Sequence, residues 1–133
     1  PGVVIGELAL DESRIRARQH AGVDQLLVRA EADTSDIAAL EQAAGLLTQR
    51  GARTSHAAVV ARQLAKTCVV GCEWLRIDLG SRSITLGGQR LSEGDILTLD
   101  GQTGCVYVGA ARTEVDVPHA LLDRLHALRS RPA

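Results

Sequence analysis

With 133 residues, 15 Lys and Arg against 16 Asp and Glu, and a formal net charge of −1, the chain is sized for one domain with one core and lacks an electrostatic footprint for nucleic acid. Phe and Met are absent and Trp and Tyr occur once each, so there is no stacking platform for single strands, and the core falls to Val, Leu, Ile and Ala. The sequence shows no apolar run of spanning length, signal peptide or low-complexity tail, so no membrane contact and a soluble cytoplasmic setting are the expectation.

In chain order, Val3–Ile5 and Glu7–Leu10 read as a strand interrupted by Gly6. Asp11 can cap a helix around Ile15 that Gly22 ends, and Gln25–Arg29 is a short buried strand. Thr34 or Ser35 then caps a helix through Ile37, Leu40, Ala43 and Ala44, with Gly45 as its C-cap and Leu46–Thr48 as a third strand. A glycine turn carrying Arg50, Gly51 and Arg53 leads to a further helix, N-capped by Thr54 or Ser55. Its inner side is expected to hold Ala57, Val60, Ala61 and Leu64, with Arg62, Gln63 and Lys66 towards solvent.

Beyond that helix the pattern changes to period two. Cys68–Val70, Ile84–Leu86, Ile96–Leu99 and Val106–Val108 read as strands, divided by Gly71, Gly87-Gly88, Gly94 and Asp100-Gly101. The pattern predicts a mixed α/β domain over residues 1–112, with mixed sheet layers and helices on one side. Residues 113–133 are expected to be a linker and an amphipathic helix whose stripe is Leu121, Leu122, Leu125 and Leu128.

The chemistry concentrates at His56. A hydroxyl at the N-cap takes up one orphan amide, and the imidazole then sits beside the remaining free N–H groups and the positive end of the helix dipole. That field disfavours the imidazolium, so the ring is expected neutral and nucleophilic near neutral pH, with donors aimed at any phosphoryl group it accepts. Thr54 and Ser55 do not make a Ser-His hydrolase, because neighbours on a helix start cannot align hydroxyl and imidazole and no Gly-x-Ser-x-Gly elbow is present. Arg50 and Arg53 could screen the phosphate, bind the donor's phosphates or solvate an exposed loop.

No Gly-Lys-Ser/Thr follows the glycine turn, so it is not a nucleotide-binding P-loop, and no carboxylate cluster offers itself to magnesium. Cys68, Cys72 and Cys105 form no metal pattern and read as small buried or strand residues. His20, His119 and His126 have no motif around them.

The strings Gly45-Leu-Leu-Thr-Gln-Arg-Gly51, Thr54-Ser-His-Ala-Ala-Val-Val-Ala-Arg62 and Cys68-Val-Val-Gly-Cys72 resemble the swivelling phosphohistidine domain of phosphoenolpyruvate-utilising enzymes, above all of the pyruvate phosphate dikinases. The resemblance extends to Pro1-Gly2 with Gly6, to Leu27-Val-Arg29 and Thr34-Ser-Asp-Ile37, and to Leu91-Ser-Glu-Gly-Asp95 and Leu99-Asp-Gly-Gln-Thr-Gly104. It implies a swivelling β/β/α fold in which His56 is the phosphoryl acceptor; the threonine that Thr54 matches is a regulatory phosphorylation site in some dikinases, and Thr54, Ser55, Arg53, Arg50 and Gly51 are the candidate supporting or regulatory residues.

The implied partners are an ATP-grasp nucleotide-binding domain and a pyruvate- or phosphoenolpyruvate-binding α/β barrel, on the same or a separate chain. No cofactor or metal is implied in this domain, and magnesium is implied in the full enzyme. Phosphoenolpyruvate synthases and antibiotic phosphotransferases share the histidine motif, and a non-catalytic docking module would keep the same fold. Two departures stand out: Gly51-Ala52-Arg53 where the family has Gly-Gly, and Ala65 where it often has glycine.

Overall fold

Alternate residues of the first strand face two different cores, and that division sets the layers of the protein. The computed structural model describes residues 2–18, 20–51 and 55–109. Ala52, Arg53, Thr54 and the leucine stripe of residues 113–133 lie outside the described residues, as does the expected domain boundary at residue 112.

Strands β1 (Val3–Ala9), β2 (Gln25–Arg29), β3 (Gly45–Thr48) and β4 (Thr67–Val69) are parallel and separated by helices α1 (Glu12–Ala17), α2 (Ile37–Gln42) and α3 (His56–Gln63). A second set follows: β5 (Leu75–Asp78), β6 (Ser83–Leu86), β7 (Gln89–Ser92), β8 (Ile96–Asp100) and β9 (Cys105–Val108). The main sheet has six strands in the order β4-β3-β2-β1-β8-β9, with β8 and β9 antiparallel, and β5-β6-β7 make a separate antiparallel sheet.

Strand register aligns Ala9, Leu27, Leu46 and Cys68 in one row across β1 to β4. Three of these, Ala9, Leu27 and Leu46, pack with Ile15 of α1, Ala39 and Leu40 of α2, and Ala57 and Ala61 of α3, with Cys68 resting against them. Three βαβ crossovers of the same hand place all three helices on that face. Their neighbours in sequence, Leu8, Leu26, Val28, Leu47 and Val69, point the other way and pack with Leu75, Ile84, Leu86 and Leu91 of the three-stranded sheet. The result is the expected β/β/α arrangement, in which each fully buried leucine contributes about 2 kcal/mol. The sheet also curls: a methyl group on Gly101, just past β8, would lie 3.2 Å from Thr67 Cγ2 of β4.

Several local expectations change. Gly6 does not interrupt β1 but lies inside it, opposite Leu97. The first helix ends at Ala17, well before Gly22. Asp33, not Thr34 or Ser35, caps the next helical segment, since its carboxylate accepts from Ser35 N while Asp36 accepts from Asp33 N. Helix α2 ends at Gln42, and Gly45 is a strand residue paired with Leu26 and Thr67 rather than a C-cap.

On α3 the buried residues are Ala57, Ala58 and Ala61, while Val60 is half-buried and Leu64 is 38% exposed. Strands β5 and β7 are additions to the strands that the period-two pattern gives, although Leu91–Asp95, which overlaps β7, resembles a closing β segment of the family. Gly87 and Gly88, both with positive φ, form the two-residue turn of the β6–β7 hairpin, where only glycine adopts such angles cheaply. Cys72 and Cys105 are buried and Cys68 is half-buried, and none of the three is in a disulfide.

Two ion networks fasten the layers. Arg82, at the β5–β6 turn, donates to both oxygens of Glu93 at 2.8 Å and to Asp11 Oδ2 at 2.9 Å, and Glu93 also accepts from Leu10 N. This joins the three-stranded sheet to the cap of α1. On β1, buried Glu7 accepts two hydrogen bonds from Arg18, at 2.9 and 2.8 Å, and one from Gln25 at 2.8 Å.

Those bonds, Arg18's first, lower the Glu7 carboxyl from its usual 4.5 to about 2. A carboxyl depressed on folding stabilises the protein at pH values above its unfolded pKa, and that contribution disappears as pH falls through the folded value. Thermal melts should therefore show stability declining from about pH 4.5 towards pH 2, with a shallower decline in Glu7→Gln, which starts from a lower melting temperature at neutral pH.

Candidate functional site

Strands β2 and β3 end side by side, and the chain leaving β3 is fixed at each step by main-chain bonds. Gln49 N donates to Arg29 O at 3.2 Å and Arg50 N to Ala30 O at 2.8 Å, while Thr48 Oγ1 donates to Arg50 O at 2.7 Å. Cys72 N reaches Thr48 O at 2.9 Å, which draws the exit of β4 onto the same loop. Gly51 takes φ of 113°, and a methyl group on Gly71, itself at φ 71°, would lie 3.0 Å from Gly51 O. Glycine at both positions lets the two loops meet at backbone distance.

From this platform α3 starts. Ser55 is extended (φ −62°, ψ 153°), and its hydroxyl accepts from Ala58 N at 3.3 Å, so Ser55 is the N-cap. His56 is the first helical residue and is exposed. The amides of His56 and Ala57 have no acceptor within the helix, so the edge beside the imidazole offers donors and the positive end of the dipole to an anion.

The far end of α3 closes with Ala65 N to Arg62 O at 3.0 Å and Lys66 N to Ala61 O at 2.8 Å, and Ala65 adopts φ of 60°. That is a Schellman closure with alanine where glycine fits better. Ala65→Gly is therefore expected to raise stability by about 1 kcal/mol, or roughly 4 °C in melting temperature by calorimetry.

Beside Ser55 lies a cleft of about 40 Å³, bordered by Glu31, Thr48, Arg50 and Gly51. It is far smaller than the roughly 300–1,000 Å³ of pockets that enclose small-molecule ligands. Arg50 is exposed and pairs with Glu31, Nε to Oε2 at 3.6 Å. Of the residues singled out in the sequence, the structure thus gathers Arg50, Gly51 and Ser55 around this cleft, with His56 next in the chain between two residues that line it, Ser55 and Ala57; Arg53 and Thr54 are outside the described residues.

Sequence reasoning missed Glu31 and Thr48. Glu31 follows a strand that ends in arginine and gave no motif. Thr48 is the last strand residue of β3, as expected, and the signal for its second role is a hydroxyl at a strand end just before a glycine turn, a usual loop tie. Among the described residues, no group of three or more His, Cys, Asp and Glu could hold a metal ion, and no helix is long and apolar enough to cross a membrane.

The described residues form a β/β/α domain that presents its histidine at an open edge rather than enclosing it. The chain belongs to the family described as PEP-utilising enzyme, mobile domain, whose sequence model matches residues 23–104. It is 43% identical over 114 residues to the pyruvate, phosphate dikinase of Entamoeba histolytica, covering 86% of this chain and 13% of that protein. The pyruvate, phosphate dikinase of Clostridium symbiosum is 40% identical over the same shares of each. Pyruvate, phosphate dikinase 2 of Zea mays is 40% identical over 109 residues, 82% of this chain and 12% of the relative.

A solved chain described as the NMR solution structure of Enzyme I (nEIt) aligns with a TM-score of 0.46 and 24% identity, over 78% of this chain and 35% of that one. The chain spans only 13% of the length of the first two dikinases.

Proposed function

We propose that this chain is the phosphoryl-carrier domain of a pyruvate phosphate dikinase-like phosphotransferase, with His56 as the acceptor. The observation that carries the proposal is the exposed imidazole at the first position of α3, beside a serine-capped helix start. An imidazole nitrogen attacks the donor's phosphorus. The N–P bond forms as the P–O bond to the donor breaks, and the electron pair stays with the leaving oxygen. The amides at the helix start face the charge that arrives, and in the reverse direction they face the same group before it leaves.

The glycine turn before α3 lacks the Gly-Lys-Ser/Thr of a nucleotide-binding P-loop, and holding nucleotide and pyruvate is a task separate from carrying the phosphoryl group. Those functions fall to an ATP-grasp domain and an α/β barrel, between which the carrier moves. The magnesium that phosphoryl transfer from a nucleotide uses finds no cluster of ligands among the described residues, and no step on this domain is routed through it.

The test is to incubate the chain with labelled phosphoenolpyruvate or ATP and the complementary domains of a dikinase. Acid-labile, alkali-stable phosphate on the peptide containing His56 is expected. A label absent from that peptide, or stable to acid as a phosphoester is, overturns the proposal.

A further inference from the structure

Arg50 and Glu31 are joined by an ion pair whose geometry suits exchange. Their closest approach, Nε to Oε2, is 3.6 Å, outside hydrogen-bonding distance, and the side chains are 63% and 66% exposed. Such pairs contribute little to stability. The main chain of Arg50 is by contrast fixed at both ends, its N–H on Ala30 O and its carbonyl under Thr48 Oγ1. The guanidinium is thus a solvent-exposed cation on a fixed root, and both members of the pair border the cleft that Ser55 and Ala57, the residues on either side of His56, also border.

Loading His56 would place a phosphoryl group carrying close to two negative charges on the residue after Ser55. A guanidinium binds such a group through two charge-assisted hydrogen bonds, which a loose carboxylate contact does not match. Glu31 left beside the new dianion would repel it.

We propose that Arg50 is a positioning residue that Glu31 holds in the unloaded domain and that passes to the phosphoryl group when His56 is loaded, an inference that rests on the carrier function proposed above. Glu31 sets the strength of the hold. It biases the domain towards the unloaded state until a donor is present, and it recaptures Arg50 once the phosphoryl group departs.

The experiment loads the full chain from phosphoenolpyruvate through the barrel domain of a dikinase, at a fixed ratio of phosphoenolpyruvate to pyruvate, and reads the loaded fraction by 31P NMR. Glu31→Gln is expected to raise the ratio of loaded to unloaded chain about two- to fivefold. Arg50→Ala is expected to lower it about three- to tenfold, with Arg50→Lys retaining part of the effect. In the Arg50→Ala background Glu31→Gln should bring no further gain, and the Arg50 Nε–H resonance should move on loading.

An equal gain from Glu31→Gln in both backgrounds would reduce Glu31 to simple charge repulsion and overturn the exchange, as would no gain in either. If the barrel domain leaves His56 unloaded while phosphoramidate phosphorylates it chemically, releasing ammonia, the carrier function fails by itself. The Arg50 resonance in the chemically loaded chain then decides the exchange, and an unmoved resonance overturns it.

Discussion

Replacing His56 by asparagine is expected to abolish phosphoryl transfer through this domain while leaving its fold intact. His56 is exposed at the first position of α3, so the substitution should change stability by no more than about 0.5 kcal/mol. Asparagine keeps a polar side chain at the helix start but offers no nucleophilic nitrogen. Turnover with the complementary domains should fall to background while the melting temperature stays within about 2 °C of the parent. Residual transfer at even a tenth of the parent rate would show that another group accepts the phosphate. Parallel loss of the melting transition would show that the imidazole is structural.

The second large effect is on stability. Gly6 lies mid-strand between β2 and β8, and a methyl group there would sit 2.6 Å from the Asp24 carbonyl oxygen, whose carbon is at 3.0 Å. The same carbonyl accepts the Glu7 amide at 2.8 Å, so it cannot retreat without loosening the entry to β2. Gly6→Ala should destabilise the domain by about 3 kcal/mol or more, through backbone displacement rather than conformational strain.

Gly22→Ala separates the two causes. Gly22 has φ of 74° but open space around it, so alanine there costs only the left-handed backbone, about 1 kcal/mol. Urea unfolding of both variants should show at least a twofold larger loss for Gly6→Ala, and equal losses would refute the steric account.

The parts of the fold that could be read from sequence are those where a short-range pattern coincides with a long-range need. Gln25–Arg29 is an apolar run bounded by turn residues, and its strand has those ends. The start of α3 was legible because a hydroxyl cap has a local signature, and Asp11 was legible for the same reason. Gly45 misled because glycine after an alanine-rich helix resembles a C-cap. Its actual role depends on Thr67 and Val4, residues far away in sequence, which approach within 3.1 Å of where its methyl group would be.

Strands β5 and β7 are invisible to periodicity because each spans four residues and points one buried side chain, Leu75 or Leu91, at the core. So faint an alternation is lost among charged neighbours such as Arg76, Asp78 and Arg90. At the site, His56, Ser55, Arg50 and Gly51 lay within one motif, whereas Glu31 joins them only because β2 and β3 are neighbours and end together.

The inner face of α3 is made of Ala57, Ala58 and Ala61, side chains without rotatable heavy-atom torsions. A helix seated on methyl groups has no side-chain adjustment with which to absorb a push, so whatever bears on its tip is resisted by peptide backbone alone. The ring of His56 therefore has a stiff mount, and under the carrier function proposed above, angular error from the movement of the domain is not compounded by looseness at the ring.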